Sequence, residues 1–231
     1  MSILLRRFLM IDSGGGQQYD ADSYIQNGLV FQLDGLEKGS NTGYWTDRVT
    51  GTTFSLADTS VAESRTDGVY MKGVGVLTAS DSITFPTSSE GTVEVCCDYF
   101  SGNGAVMIGP SNGSIAFGYR TTGHSIYIGR GTYVNAWTIT NYSTKQVWSL
   151  NVDNAVADIT GSMTVANTYG ATVTMTKVKI GGRSTDDGSK LGLLYTGLIH
   201  SIRVYDRKLS VAEMQFNQRI DNVRFNLGLT P

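Results

Sequence analysis

Apolar and polar residues alternate along most of the chain. Gly91 to Phe100 sets Val93, Val95, Cys97 and Tyr99 at every second position. Ser114 to Tyr119 does the same with Ile115, Phe117 and Tyr119, and Gln146 to Asp153 with Trp148, Leu150 and Val152. Ile126 with Ile128 and Val178 with Ile180 follow the same rule, and Leu198, His200, Ile202 and Val204 extend it towards the C-terminus. Neighbouring strand residues point to opposite faces, so a period of two predicts strands with one apolar and one polar side. Turn-forming stretches separate the runs: Ser101-Gly102-Asn103-Gly104, Ser111-Asn112-Gly113, Thr122-Gly123 and Asp187-Gly188. Many short strands at this spacing predict an all-β sandwich or barrel of antiparallel sheets, not βαβ units.

One segment departs from this period. Ser210 reads as a helix N-cap, and Glu213 three residues later completes a capping box. Leu209 and Met214 take the positions of a hydrophobic staple, and Phe216, Ile220 and Val223 continue a helical stripe. The pattern predicts a short C-terminal helix that covers one end or edge of the sandwich.

Composition narrows the reading. A chain of 231 residues fits one large β domain, and that length buries a core without disulfides or metals. Charged residues make up 16% of the chain, with 28 Gly and 3 Pro, which suits short strands and tight turns. A net charge of −2 offers little to a polyanion, so no nucleic-acid partner is expected. No apolar run reaches the roughly 18 residues of a membrane span. Cys96 and Cys97 are neighbours on a predicted strand, a poor geometry for a mutual disulfide, and read as two buried thiols. Met1 to Ile11 is apolar, but Arg6 and Arg7 interrupt it and Gly14-Gly15-Gly16 follows, so no signal peptide is recognised. Residues 1–20 read as an N-terminal arm outside a domain of residues 21–231. That arm is either a disordered leader or an anchor that orders in an assembly.

The C-terminal part resembles a known family. Ile180-Gly181-Gly182, then Tyr195 to Ser210 (YTGLIHSIRVYDRKLS) and Glu213, is similar to the closing segment of laminin G-like, concanavalin A-like jelly-roll domains. Gly28 to Asp34 with Trp45-Thr46-Asp47, and Thr92 to Val95, resemble the family's opening and an early core strand. The resemblance runs from about Asn27 to Phe225. It implies a concanavalin A-like antiparallel jelly-roll sandwich, a fold that hosts lectins, adhesion modules, glycosidases and virion or surface proteins. The first residues also resemble the short Arg-containing leaders of proteins encoded by gut bacteroidal phages and prophages.

Glycosidases that share the jelly roll carry E-x-D-x-x-E on one strand. Here the comparable stretch is Glu94-Val95-Cys96-Cys97-Asp98, with Cys96 in place of the middle acid. Glu94 and Asp98 stand about 13 Å apart along a strand, against the roughly 5–9.5 Å of hydrolytic carboxyl pairs. Gly109 to Gly113 matches G-x-S-x-G, yet a strand pattern follows where a nucleophile elbow needs a helix. His124 and His200 have no spacing of a transition-metal site, and His200 reads as a satisfied core or edge histidine. The chain is therefore expected not to be an enzyme. No cofactor is expected except possible calcium, for which Asp34, Asp47, Asp186 and Asp187 lie in or beside loops.

Binding has better support. Tyr133, Asn135, Trp137 and Tyr142 lie in the polar stretch from Gly131 to Ser143. Sugar C–H faces stack on aromatic rings while their hydroxyls meet amides, although Trp137 packed into the core is an equal reading. Tyr44 and Trp45 fall in a Gly/Asn/Thr loop, where the family places the Trp near the core. The expected function is a carbohydrate- or receptor-binding display module on a virion or cell surface. Its expected partners are a glycan or a surface protein. The alternative is a virion assembly or decoration protein whose residues 1–20 join copies of itself or other subunits. A glycoside hydrolase of jelly-roll type is the third reading.

Overall fold

The computed structural model describes residues 18–38, 42–84, 91–98, 106–110, 116–120, 125–130, 132–138, 145–151, 156–158, 174–175, 177–184, 191–192 and 194–228. In chain order these form β1 (Leu29–Asp34), the one-turn helix α1 (Gly35–Lys38), β2 (Tyr44–Thr46), β3 (Thr53–Ser55), β4 (Ala62–Arg65), β5 (Gly68–Lys72), β6 (Leu77–Thr78) and β7 (Ile83–Thr84). There follow β8 (Thr92–Asp98), β9 (Val106–Pro110), β10 (Ala116–Arg120), β11 (Ser125–Arg130), β12 (Thr132–Thr138), β13 (Lys145–Asn151) and β14 (Val156–Asp158). The chain closes with β15 (Thr174–Met175), β16 (Val178–Ile180), β17 (Arg183–Ser184), β18 (Leu191–Gly192), β19 (Thr196–Tyr205) and α2 (Val211–Arg224).

Two antiparallel sheets dominate. One has seven strands in the order β14-β13-β8-β19-β5-β4, with β1 also paired to β19; the other has six, β12-β11-β10-β9-β16-β6. The long β19 shares one edge between β5, along Thr196 to Ile199, and β1, along Ser201 to Tyr205. The core lies between the sheets. Phe31, Leu33, Val95, Cys97, Ile199, Ile202 and Val204 enter it from the first sheet, and Leu77, Ile108, Val178 and Ile180 from the second. Trp45 and Phe54 close it from the β2–β3 hairpin. The fold is an all-β antiparallel sandwich with a short C-terminal helix, as its patterning predicts, and it is of the concanavalin A-like kind that the resemblance implies.

The alternation holds on β8, where Val93, Val95 and Cys97 pack against or within the core. It fails on β19. Ile199 pairs with Cys97 and Ser201 with Cys96, so His200 is an extra residue in the ladder. Such a β-bulge reverses which face the following residues take. Ile199, not His200, therefore joins Ile202 and Val204 in the core. Tyr44 and Trp45 also depart from expectation, since they lie on strand β2 and not in a loop. Trp45 is fully buried and its Nε1 donates to the Asp34 carbonyl at 3.1 Å, while Tyr44 is exposed.

Two glycines of the family-like segments have steric reasons to be glycine. Gly181 adopts φ +83°, and a Cβ there would stand 2.3 Å from the Met71 methyl. Gly28 adopts φ +81°, where a Cβ would crowd Asp206 and Arg207 at 2.8 Å. The left-handed backbone disfavours any side chain at both positions, and a Cβ would also require the neighbouring side chains to shift.

Helix α2 begins as its sequence dictates. The Ser210 side chain accepts from the Glu213 amide, and Glu213 accepts from the Ser210 amide, closing the capping box. A cap of this kind contributes about 1 kcal/mol. Leu209 and Met214 meet Tyr205 in a small apolar cluster, the expected staple. The buried stripe is not the one the apolar spacing predicts. Val223 is exposed and Phe216 half-buried, whereas Met214, Asn217, Gln218, Ile220 and Asp221 are buried. The helix docks through a largely polar face because the outer face of the seven-stranded sheet offers it polar partners.

Candidate functional site

The sequence-derived binding residues fall on the second sheet. Tyr133, Asn135 and Trp137 occupy alternate positions of β12, at one end of the six-stranded order. Asn135 stands opposite Ile128 and Trp137 opposite Ile126 on β11. Tyr142 lies outside the described residues, as do residues 1–17 of the arm, His124, Ser111 and the loop aspartates Asp186 and Asp187.

A buried polar network lies between the first sheet and α2. Arg203 of β19, fully buried, donates from Nε to Glu94 Oε2 at 2.9 Å. Its two terminal nitrogens reach the Asp221 carboxylate at 2.9 and 2.5 Å. Tyr24 lies flat beneath it, the guanidinium 3.9 Å from the ring centre, and donates its hydroxyl to Asp221 at 2.8 Å. Asn217 donates to Glu94 at 2.9 Å and to the Tyr205 hydroxyl at 2.9 Å. Burial works against the Arg203 charge, but Asp221 and Glu94 more than offset it and hold its pKa above the usual range. Glu94, the acid weighed above as half of a hydrolytic pair, is thus committed to an interior ion pair.

A second arginine carries the network to the surface. Arg224, in the last turn of α2, donates to Asp34 at 2.5 and 3.2 Å and to the Tyr24 hydroxyl at 3.1 Å. Asp34 in turn accepts the Leu36 and Glu37 amides at 3.0 Å and so organises α1. Arg224 Nε is buried and has no acceptor among the described residues. An unmet buried donor costs roughly 1–3 kcal/mol. Arg224 forms one wall of an open cleft of about 630 Å³, completed by Gln18, Tyr19, Asp20, Leu36, Glu37 and Val223. Leu36 and Val223 are exposed there, and Glu37 reaches Arg224 at 3.5 Å and Arg48 at 3.3 Å. Sequence reading missed this cleft, because its walls are close in space while Gln18 and Arg224 lie near opposite ends of the chain.

His200 is satisfied, as its sequence setting predicts. Its Nδ1 faces the Asp67 carbonyl at 3.0 Å and its Nε2 the Asp98 carboxylate at 3.1 Å, with the Phe225 ring 5.0 Å away. Burial of the ring works against its charge. The hydrogen bonds to Asp98 and Asp67 and the charges of both carboxylates outweigh that, so its pKa is raised. Cys96 and Cys97 are both free, buried thiols whose pKa values burial pushes up. Of the aspartates considered for calcium, Asp47 is fully buried and accepts the Gln32, Val49 and Thr50 amides at 2.7, 3.2 and 3.0 Å. Asp34 is committed to Arg224 and α1. Among the described residues no three His, Cys, Asp or Glu side chains cluster as metal ligands, and no helix is long and apolar enough to cross a membrane.

No protein-family model matches the sequence, and the curated proteins yield no match. Solved structures do match. A Trypanosoma rangeli sialidase in complex with sialic acid is similar at 15% identity and TM-score 0.55, over 87% of this chain and 34% of that one. The same sialidase as a covalent intermediate with 2,3-difluorosialic acid gives 16% identity and TM-score 0.54, over 87% and 33%. Domain 4 of a GH43 extracellular arabinanase from Geobacillus stearothermophilus, in complex with arabinotriose, gives 12% identity and TM-score 0.50, over 80% of this chain and 96% of that domain. The chain spans about a third of the length of the sialidases it matches. These likenesses establish the fold, and they correct one expectation. The sequence motifs imply no enzyme, yet the fold recurs within enzyme chains. Local motifs at Glu94–Asp98, Gly109–Gly113, His124 and His200 carry that expectation, and a fold of this kind does not decide function by itself.

Proposed function

We propose that this chain binds carbohydrate. The observation that carries the reading is the sandwich shared along nearly the whole of an arabinanase domain whose solved structure holds arabinotriose. Within that fold, β12 carries Tyr133, Asn135 and Trp137 at alternate positions. Aromatic rings stack on the C–H faces of sugars, and an amide both donates to and accepts from hydroxyls. These residue types on an end strand supply the chemistry of a sugar-binding surface, and Tyr142 follows them in the sequence. The test is calorimetric titration of the chain and of Trp137→Ala with the tightest-binding member of a glycan panel. An affinity at least about tenfold weaker, near 1.4 kcal/mol, is expected for the variant. Unchanged affinity in a folded Trp137→Ala protein overturns the assignment to β12.

A further inference from the structure

The cleft between α1, the last turn of α2 and residues 18–20 combines exposed apolar surface with acidic edges. Of the large hydrophobic side chains exposed among the described residues, Leu36 and Val223 both line it, beside half-buried Tyr19. A single exposed apolar residue is ordinary, but two that meet in one concavity mark a surface that gains from being covered. The walls are held in place. The Arg203–Asp221 pair fixes α2 on the sheet, and the Arg224–Asp34 pair ties the end of α2 to the start of α1.

The exposed charge around the cleft is negative. Asp20 and Glu37 line it and are exposed, and exposed Asp22 follows Asp20 closely in the chain. Against these carboxylates stands Arg48, shared between Asp22 at 2.9 Å and Glu37 at 3.3 Å. Arg224, which Glu37 also reaches at 3.5 Å, is 3% exposed and matched by Asp34.

The chain carries the complement of this surface just before it. Residues 1–11 hold eight apolar side chains, Arg6, Arg7 and no acid. Six residues, Asp12 to Gln17 with Gly14-Gly15-Gly16 among them, join that segment to Gln18 in the cleft wall. Six residues reach about 20 Å at most, and glycines permit the reversal of direction that brings a chain back on itself. A tether this short holds its segment at an effective concentration on the order of 1 mM. At micromolar protein, a chain's own segment therefore outcompetes that of a second copy.

We propose that residues 3–11 dock in this cleft of their own chain, with Phe8 and Leu9 against Leu36 and Val223 and with Arg6 and Arg7 towards Asp20 and Glu37. The arm is then a strap across the junction of α1 and α2. The proposal is independent of glycan binding at β12.

Nitrogen–proton correlation spectra of the full ¹⁵N-labelled chain test it through the backbone amides of Leu36, Glu37 and Val223. The amides of Ile202 and Val204 serve as the control for an intact core. The expected result is that the three cleft signals shift in Phe8→Ser with Leu9→Ser while Ile202 and Val204 stay in place. Arg6→Glu with Arg7→Glu shifts the same three signals. Reciprocally, Val223→Asp shifts the amides of Phe8 and Leu9. In the native chain none of these signals moves on dilution. Cleft signals that stay in place in Phe8→Ser with Leu9→Ser overturn the proposal, as do Phe8 and Leu9 signals that ignore Val223→Asp. Signals unmoved by the arginine reversals overturn the part given to Asp20 and Glu37. Cleft signals that move on dilution of the native chain, with light scattering finding dimers, assign the cleft to the segment of a second copy and overturn docking within one chain.

Discussion

His200 sits where a β-bulge expels it from the core and turns it towards two carboxylates. Both ring nitrogens face acceptors, which suits the doubly protonated ring. Its pKa is raised in the folded chain, so the folded state binds the proton more tightly than the unfolded state. The stability this confers is complete below the unfolded histidine value of about 6.5 and is lost as pH rises through the higher folded value. Urea denaturation of the native chain is expected to show this fall on the alkaline side of pH 6.5, and His200→Gln to lack it. The same pH slope in both proteins contradicts the account. The sequence identified His200 as a satisfied histidine but put it on the wrong face. A bulge adds one residue to a ladder, and no local signal in Leu198-Ile199-His200-Ser201 marks which residue is extra.

At the scale of elements, α2 shows what periodicity reads and what it misses. The cap, box and staple are local, each within a few residues of Ser210, and all were legible. The buried face was not, because Asn217, Gln218 and Asp221 have the character of solvent-facing residues. One residue bears on it: Arg203 stands between Ile202 and Val204 on β19, and a charge buried there requires a partner. The docking of α2 rests on that charge. Arg203→Ala leaves Glu94 and Asp221 buried without their cation, a change that typically costs 3–5 kcal/mol, about that much being expected here. Chemical denaturation measures it, and a loss below about 1 kcal/mol contradicts the view of Arg203 as the pin between helix and sheet. β8 and β13 were legible for the opposite reason. Their alternation depends on nothing distant, so the strands appear where the pattern puts them.

At the scale of the molecule, the sandwich follows from many such strands together with the glycines that let its turns close. Gly28 and Gly181 belong to the segments that carry the family resemblance, and the structure gives each a steric reason. Sites are less legible than folds. Tyr133, Asn135 and Trp137 lie on one strand, so the sequence alone groups them. The cleft draws on residues 18–20, 36–37 and 223–224, and only the closed fold brings these together. The expectation of no enzyme fails at this scale too, because local motifs do not reach the level at which the same architecture recurs within sialidase chains. The central claim is carbohydrate binding, and the measurement that tests it most directly is a glycan array probed with the intact chain. The account predicts saturable retention on at least one class of glycan, displaced by the same sugar free in solution. An array on which no glycan retains the folded chain above background contradicts it.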